Sequence, residues 1–131
     1  MTGYPAAHCH VVTTVSEKDE AVVLIHVGTT GARWFDGIRC RRDADGWREV
    51  QDYTCDGGFT MGEGDTCGFM VSWGEVAADV EAVRLAFEGE TIELAVTEAV
   101  YLFASWGAPR SAQFPQVTQY RVAGQWIPPS S

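Results

Sequence analysis

The 131 residues predict an all-β sandwich of about eight or nine strands. Three observations carry that reading. Apolar and polar residues alternate with period two far more often than they recur at helical spacing. β-Branched and aromatic residues gather in short runs, and Gly, Pro and Asp separate those runs at the spacing of a sandwich.

Taken in order, residues 8–15 make a plausible first strand. Ala21-Val-Val-Leu-Ile-His-Val27 is a near-continuous β-branched run, suited to a strand covered on both faces. Residues 32–42 and 46–53 flank Asp43-Ala-Asp-Gly46, a polar turn with Gly where positive φ is needed, and so predict a hairpin. In residues 67–73, alternation puts Cys67, Phe69, Val71 and Trp73 on one face. Val83, Leu85 and Phe87 alternate with Arg84, Ala86 and Glu88. After the turn Glu88-Gly89-Glu90, the residues Ile92, Leu94 and Val96 alternate with Glu93, Ala95 and Thr97. This is the clearest hairpin, with one apolar and one wetted face. Residues 100–106, 116–122 and a short 125–127 complete the strands. Residues 74–81 make a turn, and 110–115 a loop. A weak echo links Phe69-Met-Val-Ser-Trp-Gly74 with Leu102-Phe-Ala-Ser-Trp-Gly107.

The size fits one domain over residues 1–131, ordered over about 7–127. Eighteen acidic against nine basic residues give a net charge of −9. That balance argues against nucleic acid, whose phosphates need Lys and Arg, and against an anionic membrane surface. No apolar run approaches the ~20 residues of a membrane span. The acidity is concentrated: residues 43–66 and 67–99 each carry seven acids and one base. Arg41 or Arg42 paired across the hairpin with Glu49 would make this a solvated face; a ligand-facing acidic patch is the alternative. The chain has no Asn and a single lysine against eight arginines, which reflects a GC-rich genome and removes any N-glycosylation acceptor. Residues 1–10 lack a basic start followed by an apolar stretch, so the cytoplasm is the default expectation, and an extracytoplasmic site follows only if the N-terminus was trimmed.

Residues 59–107 carry a further pattern: Trp73-Gly-Glu-Val76, then Val80 to Gly89 in the form V-x-x-V-x-L-x-F-x-G, then residues 92–96 and Tyr101 to Gly107. This arrangement resembles small uncharacterised bacterial proteins, many of them exported or membrane-anchored. The resemblance implies an immunoglobulin-like antiparallel sandwich. It brings no catalytic residue with it.

Cys9, Cys40, Cys55 and Cys67 allow three disulfide pairings. In an oxidising compartment Cys55–Cys67 is favoured, because it closes a Gly-rich loop and contributes about 3 kcal/mol on chain-entropy grounds. Cys9–Cys40 comes second. In a reducing compartment all four are small apolar thiols. His8-Cys9-His10 groups three metal-ligand types, but a strand turns Cys9 away from both histidines, and no C-x₂₋₄-C spacing exists. Asp43-Ala-Asp45-Gly46 matches part of a calcium loop, yet Arg41 stands at the first ligand position. No metal or cofactor is expected. The motifs of serine hydrolases, zinc proteases and phosphate loops are missing. A Cys–His pair such as Cys40 with His26 could meet in space, but a random pair is no evidence of a nucleophile.

The expected function is therefore a non-enzymatic bacterial module that binds an unknown protein, small molecule or glycan, as a monomer or weak homodimer paired through an edge strand. One alternative is a carbohydrate-binding sandwich. Its patch would comprise Trp47, Trp126, Asp43, Asp45, Asp56, Glu63 and Asp65, the tryptophans supplying stacking faces. Trp73 and Trp106 alternate with core residues and are expected inside. A small hydrolase is the third reading.

Overall fold

The computed structural model describes residues 9–28, 34–54, 57–62 and 64–129. Among them every regular element is a strand: β1 (Cys9–Glu17), β2 (Glu20–Val27), β3 (Trp34–Asp43), β4 (Gly46–Tyr53), β5 (Gly57–Thr60), β6 (Cys67–Glu75), β7 (Val80–Phe87), β8 (Glu90–Ala95), β9 (Val100–Pro109), β10 (Gln116–Val122) and β11 (Gln125–Ile127). Eleven strands exceed the expected eight or nine. One addition is β5, hidden in a Gly-rich stretch that reads as loop. Gly58 lies so close to the Tyr53 ring that a Cβ would collide with it, so glycine here reflects close packing.

The chain divides into two compact units, Met1–Gly58 and Phe59–Ser131. The first is one antiparallel sheet in the order β1-β2-β3-β4, each strand pairing with its neighbour in sequence. β2 is buried along most of its length, as its unbroken apolar run requires. The register pairs Ala21 with Cys40 and Val23 with Ile38, which gives the sheet two distinct faces. On one, Ile25, Val27 and Ile38 are buried with Cys9, Val23 and Cys40 packed against them. On the other lie Val22 and Leu24, both fully buried.

The second unit holds two antiparallel sheets, in the orders β11-β10-β7-β8 and β5-β6-β9. One core serves both: Val83 and Leu85 of β7 cluster with Met70 of β6 and with Tyr101 and Phe103 of β9. The alternation predicted around residues 83–96 holds, with Phe87, Ile92, Leu94 and Val96 packed onto this core. Of the set expected on one face of residues 67–73, Phe69, Val71 and Trp73 are buried, whereas Cys67, before an irregularity between Gly68 and Met70, is exposed. Met70 is buried as well, so β6 is covered on both faces. The two Ser-Trp-Gly strands are β6 and β9 themselves, paired antiparallel around Val71 and Ala104. A local two-fold through that pair superimposes the echoed residues. Their glycines differ: a Cβ on Gly74 would come within 2.6 Å of the Tyr101 ring, whereas Gly107 faces open space.

Candidate functional site

A cleft with a largely apolar lining lies in the first unit. It encloses about 250 Å³ between Val11, Val23, Ile25, Ile38, Cys40, Trp47, Arg48 and Glu49. These residues share a face because strict alternation on β2 and β3 brings Val23, Ile25, Ile38 and Cys40 to one side. Ile25 and Ile38 form a buried floor, and the walls are Val11, 53% exposed, and Trp47, 51% exposed. The position of Trp47 comes from the two-residue turn: Asp43 pairs with Gly46 and Arg42 with Trp47, which keeps the indole at the hairpin end. The Arg42 guanidinium lies 5.5 Å from its ring centroid and is itself tied to Asp19 at 2.9 Å.

One base and one acid, Arg48 and Glu49, line the cleft. Arg48 is neutralised by Asp43, with Nε–Oδ2 at 3.2 Å. Glu49 stands opposite Cys40, and Asp52 opposite Ile38. Asp52 is held above the usual aspartate range by partial desolvation, by the charge of Glu49 and by a hydrogen bond between the two carboxyls. The Cys40 thiol is likewise pushed up, first by burial and then by the charge of Glu49 and of Asp52.

The expected cross-strand pairs of Arg41 or Arg42 with Glu49 do not form. A bulge between Arg39 and Cys40 sets Glu49 against Cys40, while the β2 register sets Glu20 against Arg41. Glu20 therefore takes Arg39 at 2.7 Å and Arg41 at 3.5 Å. The Cys40–His26 pair is also excluded by geometry. Ala21, the partner of Cys40, lies five residues from His26 on a regular strand, so the two side chains leave opposite faces. His26 stacks instead with His10 at 5.0 Å and Phe35 at 5.6 Å. Cys9 and His10 diverge in the same way, and His8 lies outside the described residues.

Cys9, Cys40 and Cys67 carry free thiols; Cys55 lies outside the described residues, as do Asp56 and Glu63. Of the proposed patch, Trp47, Asp43 and Asp45 share one hairpin. Asp43 closes its turn by accepting from the Asp45 backbone N–H at 2.9 Å, which is hairpin chemistry. Trp126 and Asp65 belong to the second unit. Arg84 covers the Trp126 ring at 3.9 Å, so that stacking face is taken. Trp73 is buried as expected, and Trp106 is half-buried against Phe69 at 5.2 Å. Trp34, 42% exposed, was not singled out by sequence, because it opens its strand with no alternating partner before it.

Among the described residues, no group of three or more His, Cys, Asp or Glu comes together to hold a metal ion, and no helix is long and apolar enough to cross a membrane. Compared with protein-family models, with curated proteins and with solved structures, the chain matches none.

Proposed function

We propose that this protein is a non-enzymatic binding module, and that its ligand seat is the cleft between Val11 and Trp47. The observation that carries the reading is an aliphatic floor beside a half-exposed indole, in a cleft of about 250 Å³. Small-molecule seats combine such apolar lining with a few fixed polar groups. Glu49 lines the cleft with Asp52 beside it, while Arg48 is tied to Asp43, so the ligand class is a small apolar molecule bearing an amine. The test is isothermal titration with hexylamine and benzylamine, and in parallel with simple saccharides. Saturable amine binding, weakened at least about tenfold by Trp47→Ala, is expected. Saturation by saccharides alone, with the same sensitivity to Trp47→Ala, would support instead the carbohydrate-binding reading, which the half-exposed Trp47 also favours. Heat from neither series would remove the cleft as a seat.

For the second unit we infer an immunoglobulin-like sandwich. Its order β5-β6-β9 parallels strands A-B-E of that fold, and β11-β10-β7-β8 parallels G-F-C with an added C′ strand. The resemblance over residues 59–107 lies within the same unit.

A further inference from the structure

We infer that β1 is a self-association edge, through which two copies of this chain join their first sheets about a two-fold axis. An unpaired strand edge offers a row of N–H and C=O groups, and proteins guard it with charge, shortness, proline or a bulge. Among the described residues most edges are guarded. β5 and β11 have only four and three residues. The six-residue β8 carries Glu90 and Glu93. β4 carries Arg48, Glu49 and Asp52 opposite a bulge. β9 is uncharged, but residues 100–103 are buried.

Among the described edges β1 is the least guarded, with its bulge near one end and its charge at the other. It runs nine residues with no proline and no charge before Glu17. Its one irregularity lies between Val11 and Thr13, which leaves residues 13–16 in regular register against residues 21–24. Three of those four are β-branched, and Thr14 and Ser16 are exposed. The partner is a second copy because the strand complements itself. A two-fold through Val15 sets Glu17 opposite Thr13 and Ser16 opposite Thr14 of the other copy, so no like charges meet at the seam although each chain carries −9. Pairing β1 with β4 of another copy would be head-to-tail and would not close, and the charges on β4 oppose it.

The test is sedimentation of the full chain over a dilution series. The wild type is expected to pass from 14.3 kDa to twice that mass. Thr14→Lys with Ser16→Lys puts four lysines at the seam and should weaken association at least about tenfold, with far-UV circular dichroism unchanged. Val50→Lys on β4 should leave association intact. Backbone amide exchange at residues 13–16 of the wild type should slow as concentration rises, a readout independent of any variant. A wild type that stays monomeric throughout overturns the inference. So does a dimer that Val50→Lys abolishes, or one that forms without protecting residues 13–16.

Discussion

Asp52 and Cys40 are both shifted upward first by burial and then by the charge of Glu49. A carboxyl whose value is raised in the folded state binds its proton more tightly there than in the unfolded chain. The resulting stability is complete below the ordinary aspartate value near pH ~4 and is lost as pH rises through the raised value. Asp52→Asn should therefore melt above the wild type at pH 7 and together with it at pH 3; a thermal scan at both values checks this. The same surroundings slow Cys40. Alkylation of the native protein by iodoacetamide, read residue by residue in a mass spectrometer, should reach exposed Cys67 well before Cys40. Equal rates at the two thiols would show that Cys40 is more open than its burial implies.

Turns and registers belong to the next scale, where sequence is legible in some places and silent in others. Among the described residues three turns place two consecutive residues at positive φ: Glu88-Gly89 at 49° and 77°, Ala123-Gly124 at 52° and 77°, and Glu98-Ala99 at 52° and 62°. The first two contain the glycine such turns favour, so the hairpins around them can be read directly. The third does not, and its left-handed alanine carries strain. Ala99→Gly should raise the unfolding free energy by about 1 kcal/mol, measured by urea titration. Conversely, Gly74→Val should lower it by more than that, because Tyr101 occupies the space a side chain would need. What could not be read depended on distant strands. The bulge between Arg39 and Cys40 redirects Arg41 and Arg42 to Glu20 and Asp19, and nothing in residues 32–53 announces it. Arg84 covers Trp126 only because β10 lies between β7 and β11, a pairing made across the sequence. Met70 interrupts the expected alternation because both faces of β6 are covered, which local pattern does not encode. The cleft follows the same division: Trp47 was visible beside its turn, whereas Ile25, Ile38 and Glu49 join it through register alone.

For the whole molecule, the net charge of −9 acts on every encounter between copies. If β1 joins two chains, that repulsion opposes the seam without touching it. Raising sodium chloride from low to physiological strength, where the screening length falls to about 8 Å, should strengthen association, and sedimentation at two salt concentrations reads the change. Weakening by salt would point to ion pairs in the interface instead of backbone pairing.

The order of strands also divides the chain in time. In the first sheet each strand pairs with its sequence neighbour, so every closure is short. In the second unit β6 must find β9 and β7 must find β10, over much longer loops. Short-range pairing forms faster because little loop-closure entropy opposes it. Refolding should thus be biphasic. Trp34 and Trp47 would report an early meander, and Trp73, Trp106 and Trp126 a later assembly that sets the overall rate.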